Sequence, residues 1–214
     1  MLGFLHTSPL HVAVFEDLVA ELAPGSSTVT VVSEALLERA RAFGPDHAEV
    51  RAGLGFRLGE LSTAGASIVV CTCSSLGAAA EDLGKRVGLH VVRVDRAMAE
   101  AAVAYGGPIV VLAALEAALV STQELLAQVA DRRRPTIVGR LVDGAWDLYR
   151  SGDIDGYHRR IAEEITTEAS HAEVLVLGQA SMAPAAELVR LDLPVLTSPR
   201  LAVEAGLAIV NAPE

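Results

Sequence analysis

The feature that most constrains the fold of this chain is a strand–loop–helix unit that occurs twice. Ile68-Val69-Val70-Cys71-Thr72-Cys73-Ser74-Ser75-Leu76-Gly77 begins as a short β-branched apolar run, reads as a buried strand, and breaks into hydroxyl and thiol residues. An alanine-rich run ending in Glu81-Asp82-Leu83 follows and reads as a helix. Val174-Leu175-Val176-Leu177-Gly178-Gln179-Ala180-Ser181-Met182 repeats the pattern, with Gln179 at the place of Cys73, Ser181 at that of Ser75 and Glu187 at that of Glu81. Removing two residues extends the match: His90-Val91-Val92 runs beside Pro194-Val195-Leu196, Arg96 beside Arg200 and Glu100 beside Glu204. The repeat predicts two pseudo-symmetric halves. It would set Cys73 and Gln179 face to face across a cleft between them.

The rest of the chain alternates strand and helix signals. Strands are expected at Gly3–Leu5, Thr28–Val32, Val91–Val94, Pro108–Leu112, Thr136–Val138 and Pro194–Leu196. Helices are expected over Leu10–Leu22, about 46–64, 95–105, 121–134, 154–169 and 184–191, with Ser33 as the N-cap of a further helix carrying Leu36, Leu37 and Ala40. The middle near Trp146 gives no clear pattern. Such alternation predicts α/β architecture with mostly parallel sheets and sites at the carboxyl ends of strands.

The chain has 214 residues and a formal charge of −10, which argues against nucleic-acid binding. The one basic run, Arg132-Arg133-Arg134, reads as the cationic end of a helix before Pro135. No apolar run reaches the roughly 18 residues that span a bilayer, and Met1–His6 lacks the basic flank of a signal peptide. Two cysteines in C-x-C spacing make neither a disulfide framework nor a four-ligand zinc site, so no metal is expected and a reducing cytoplasm is. Gly53-Leu54-Gly55 and Gly84-Lys85 lack the strand–turn–helix setting of a nucleotide loop.

A strand that empties into a helix N-terminus through Cys, Thr and Ser places thiols and hydroxyls beside backbone N–H groups that favour anions and lower a thiol pKa. These features resemble the aspartate/glutamate racemase superfamily, which includes hydantoin racemases and arylmalonate decarboxylases. The resemblance rests on Cys71–Ser75 after a strand, Leu175–Met182, Ser151-Gly152-Asp153 with His158, and Pro194–Pro199. It implies two three-layer α/β/α domains, residues 1–96 plus 198–214 and residues 97–197, with the active site in the cleft between them. It also implies cofactor-independent chemistry in which two cysteines flank the substrate α-carbon.

Matching the family's C-N-T loop to Cys73-Ser74-Ser75 makes Cys73 the thiol of the first domain and leaves Cys71 in the strand; the opposite register makes Cys71 reactive. The family's G-C-T pattern stands here as Gly178-Gln179-Ala180, and no other cysteine replaces it. A glutamine cannot exchange a proton at neutral pH, which disfavours two-thiol racemisation and leaves one-thiol isomerase or decarboxylase chemistry. Leu112–Ala118 also lacks the carboxylate-binding threonines of many relatives.

Substrate contacts are expected from His6, Thr7, Thr72, Ser74, Ser75, Gln179, Ala180 and Ser181, while His158 and His171 read as surface residues. The expected ligand is a small carboxylate or anion, with no cofactor, no nucleic-acid or membrane partner, and a homo-oligomeric state, dimer or higher. Two alternatives stand beside the enzyme: a catalytically silent small-anion-binding or regulatory member of the same family, and a redox-sensing C-x-C.

Overall fold

The computed structural model describes residues 1–211. The chain divides into two compact units, one from Met1–Val94 with the chain from Pro199 onward, the other Asp95–Ser198.

In the first unit, strands β1 (Leu2–His6), β2 (Thr28–Val32), β3 (Ile68–Cys71) and β4 (His90–Arg93) form a parallel sheet in the order β2-β1-β3-β4. β1 and β3 are central and buried throughout, which is why they read as unbroken apolar runs rather than alternating ones. Helices α1 (Leu10–Leu22), α2 (Glu34–Phe43), α3 (Ala48–Thr63) and α4 (Ser74–Val87) supply the layers. Leu36, Val50, Leu54, Leu58 and Leu61 pack with Leu5, Val69, Cys71, Cys73 and Leu76 in one core.

The second unit repeats this plan. Strands β5 (Ile109–Ala113), β6 (Ile137–Leu141), β7 (Val174–Leu177) and β8 (Val195–Leu196) lie parallel in the order β6-β5-β7-β8. Its helices are α5 (Arg96–Tyr105), α6 (Glu116–Ala130), α7 (Ala145–Ser151) and α8 (Ile154–Glu168), with a 3-10 segment at Ala180–Leu188. Tyr157, Ile161 and Ile165 of α8 pack with Val110, Leu112, Leu175, Leu177 and Met182.

The backbone bonds repeat in register. Thr72 N donates to Leu5 O as Gly178 N donates to Leu112 O, and Leu76 N donates to Cys73 O as Met182 N donates to Gln179 O. Val69 pairs with Val91 as Leu175 pairs with Val195. The duplication read from residues 68–100 and 174–204 is therefore a structural one, and Cys73 and Gln179 hold equivalent positions in their units. The helix after β4, α5, belongs to the second unit, and the helix after β8, α9 (Ser198–Val210), belongs to the first. α9 approaches closely at Gly206, where a Cβ would lie 2.9 Å from Leu2 Cδ1.

Several elements differ from expectation. Ser33 is the N-cap of α2, but its hydroxyl makes no capping bond. The stretch near Trp146 is a helix, α7. α6 begins at Glu116 and ends at Ala130, so Arg132–Arg134 lie beyond it; Asp131 and Arg134 have positive φ, and Pro135 disfavours helix at the residue before it. Rather than completing a helix end, the Arg133 guanidinium donates to Val103 O. The helix expected at 184–191 is the 3-10 segment ending at Leu188, because Pro184 lies inside it and supplies no N–H. No helix among the described residues is long and apolar enough to cross a membrane.

Candidate functional site

In each sheet the chain places its second strand on one side of the first and its third strand on the other, so the strand order reverses between β1 and β3 and between β5 and β7. Open α/β sheets bind ligands beyond the carboxyl ends of the strands at such a switch point. In the first unit that point is bordered by His6, Thr7 and Ser8 after β1 and by Thr72, Cys73, Ser74 and Ser75 after β3, all buried.

Cys73 is the N-cap of α4, in extended conformation, and its side chain does not cap the helix. It is 7% exposed, whereas Cys71 at the end of β3 is fully buried, with its Sγ 3.8 Å from Cys73 O. The two cysteines are not joined in a disulfide. Ser74 and Ser75 open the first turn of α4. Gly77 in the same turn lets Arg93 of β4 pass: a Cβ there would lie 2.7 Å from Arg93 Cβ and 3.1 Å from its Nε. Arg93, a buried charged residue ending β4, packs against this turn at Gly77. The sequence reading did not single it out, although a charge closing an apolar strand was a visible signal.

His6 and Thr72 are brought together across β1 and β3, with Nδ1 and Oγ1 2.8 Å apart. The Thr72 hydroxyl donates its one proton to Leu5 O at 3.1 Å, so it must accept from His6, and His6 carries its proton on Nδ1. Phe4 stacks on the His6 ring at 5.7 Å, and Phe15 and His11 complete an aromatic cluster. Burial, with a smaller contribution from His11, holds the His6 pKa down to about 3, and burial holds His11 down to about 4. Both rings are neutral at pH 7. His6 Nε2 and both nitrogens of His11 are buried without a protein partner.

In the second unit, Gln179 Oε1 accepts from Ala114 N at 2.7 Å and from Leu115 N at 3.0 Å. The side chain thus reaches across the β5–β7 switch point to the loop that opens α6. Ala180 is buried at the start of the 3-10 segment. Ser181 Oγ lies 2.8 Å from the Tyr157 hydroxyl, and burial pushes that phenol up. His158, expected at the surface, is half-buried, and its Nε2 donates to Ser181 O at 3.0 Å. Its neighbour Tyr157 starts the buried stripe of α8 that continues through Ile161 and Ile165, and this spacing was the sequence signal for an inward face. His171 is exposed, beside Glu168. Among the described residues no group of three or more His, Cys, Asp or Glu side chains is placed to hold a metal ion.

A model of the Asp/Glu/Hydantoin racemase family matches residues 8–206. The chain belongs to this family. Solved racemase structures share the fold. A glutamate racemase from Bacillus anthracis superposes with a TM-score of 0.74 at 16% identity, covering 98% of this chain and 81% of that one. An aspartate racemase from Picrophilus torridus gives 0.72 at 14% identity, over 97% and 93%. A glutamate racemase from Francisella tularensis, solved with D-glutamate, gives 0.71 at 14% identity, over 98% and 81%. Among curated protein sequences no match is found. Within this racemase-family chain, the place that holds Cys73 in the first unit holds Gln179 in the second, and the two side chains differ in what they do. Gln179 is bonded to the backbone of the neighbouring loop, whereas the Cys73 thiol makes no capping bond.

Proposed function

We propose that this racemase-family chain is a cofactor-independent enzyme acting at the α-carbon of a small carboxylate through one thiol, Cys73. The observation that carries the reading is the position of Cys73 as N-cap of α4 at the β1–β3 switch point, with Gln179 at the equivalent position of the repeat. A helix N-terminus favours a thiolate and a bound anion. In this reading the carboxylate or its enediolate is held by Thr7, Ser74 and Ser75 through hydroxyls and backbone amides. Thr72 and His6, bonded to each other, position the loop beside it. In the second unit the same reading assigns substrate contacts to Gln179, Ala180 and Ser181.

The proton inventory favours one-sided chemistry. In decarboxylation the bond to the departing carbon dioxide breaks and leaves its electron pair in an enediolate. Cys73 Sγ–H then delivers its proton to the α-carbon, a C–H bond forms, and the thiolate regains a proton from water. Gln179 has no proton to exchange at neutral pH, so isomerisation or decarboxylation fits better than two-thiol racemisation. The two unbridged cysteines fit a reducing cytoplasm, and a homo-oligomer, dimer or higher, is part of the same proposal.

The test compares wild type, Cys73→Ala and Cys71→Ala across amino acids, hydantoins, malonates and maleate. The reading requires turnover by wild type and by Cys71→Ala and its loss in Cys73→Ala. Full activity of Cys73→Ala, or no turnover by wild type, sinks it. Gln179 itself favours a second reading, a catalytically silent member that binds a small anion. A ligand that raises thermal stability without being consumed supports that alternative, and α-proton exchange in deuterated water that needs Cys73 removes it.

A further inference from the structure

The switch point of the second unit is occupied from within the chain. Two successive amides, Ala114 N and Leu115 N, converge on the single oxygen Oε1 of Gln179 at 2.7 and 3.0 Å. Paired backbone donors aimed at one oxygen form the arrangement that holds a carboxylate or carbonyl oxygen of a ligand. Both amides precede the first turn of α6, which begins at Glu116, and the carboxamide from beyond β7 supplies their acceptor. Thr122, on α6, is fully buried and its Oγ1 has no protein partner; that oxygen lies 3.2 Å from where a Cβ on Gly178, the residue before Gln179, would be.

We propose that Gln179 is a specificity-determining residue whose carboxamide closes, as a built-in ligand, a subsite for a planar carboxylate or amide group. The inference deepens the assignment of Gln179 as a substrate contact and rests on that reading. With Gln179 in place, a substrate carboxylate finds no amide pair in the second unit, so the native chain takes substrates that carry no such group there. Because Oε1 is committed to Ala114 and Leu115, Gln179 presents only its Nε2 hydrogens to a ligand, and the atom beside it is an acceptor. Shortening the side chain frees the Ala114 and Leu115 amides and opens the subsite.

The experiment uses the full chain in a Cys73→Ala background, so that catalysis plays no part. Acetate and acetamide, with chloride at equal ionic strength as control, are titrated against Gln179 and Gln179→Gly proteins by calorimetry and thermal unfolding. The expected result is millimolar binding of acetate or acetamide to Gln179→Gly, at least tenfold tighter than to the Gln179 protein. A matching rise in unfolding temperature that chloride does not reproduce is also expected. Equal binding to both proteins, or to neither, overturns the proposal. Should Gln179→Gly not fold, refolding of Gln179→Ala is followed with the same additives: recovery with acetate or acetamide but not chloride supports the closed subsite, and no recovery overturns it. Gln179→Glu, which can accept both amide bonds, should fold and leave acetate unbound. These outcomes do not depend on turnover, so a failure here is distinguishable from a failure of the Cys73 reading.

Discussion

The His6 imidazole and the Thr72 hydroxyl meet 2.8 Å apart across the two central strands of the first unit, and Thr72 passes its own proton on to Leu5 O. This relay sets the tautomer of a buried, neutral histidine and ties the loop after β1 to the loop after β3. Thr72→Val should leave both His6 Nδ1–H and Leu5 O without this hydroxyl in a buried setting. The expected cost is about 1–3 kcal/mol of unfolding free energy, measured by urea denaturation, with Thr72→Ser close to wild type. A Thr72→Val protein as stable as wild type would show that the relay contributes nothing.

Stability should fall on mild acidification. Burial holds the folded His6 and His11 at pKa values of about 3 and about 4, against the ordinary histidine value of 6.5 that the unfolded chain has. Between these values the unfolded chain binds more protons than the folded one, so stability rises with pH. The contribution is complete above pH 6.5. It is lost as pH drops, at up to about 1.4 kcal/mol per pH unit for each ring, down to about 4 for His11 and about 3 for His6. Melting temperatures from pH 7.5 to 4.5 should show a shallower slope for His11→Leu; an identical slope contradicts burial of a neutral His11.

The two thiols should react in order of exposure. Cys71 is sealed in β3 and Cys73 is 7% exposed, so a thiol reagent should modify Cys73 first and slowly under native conditions, and both residues in denaturant. Cys73→Ala should abolish the native-state reaction. Rapid modification of both would favour the redox-sensing alternative.

Gly77→Ala should destabilise the first unit. The added Cβ would fall 2.7 Å from Arg93 Cβ, which forces α4 and β4 apart or Arg93 out of its place. A loss of about 1–3 kcal/mol is expected from such overpacking, read by chemical denaturation. A neutral or stabilising effect would mean that the arginine side chain moves aside freely.

Much of the architecture was legible in the chain itself. Interior strands of a parallel sheet are buried on both faces, so β1, β3, β5 and β7 appear as continuous apolar runs that need no tertiary information to be seen. The duplication was legible for the same reason: residues 68–77 and 174–183 repeat the same sequence of strand, small-residue turn and helix start. Where local chemistry competes with pattern the reading slipped, as at Pro184, which turns an apparent α-helix into 3-10, and at Ala130, where the chain leaves the helix before the three arginines.

Sequence alone determined the α/β class, the repeat, and the placing of Cys73 and Gln179 at matching positions, because strand and helix periodicity are local properties of the chain. Which groups lie beside such positions was settled by the tertiary fold. Gln179 meets Ala114 and Leu115, and His6 meets Thr72, through pairings between residues more than sixty positions apart. Such bonds depend on which strands become neighbours in the sheet, and no periodicity in the chain encodes which donor a particular side chain will reach.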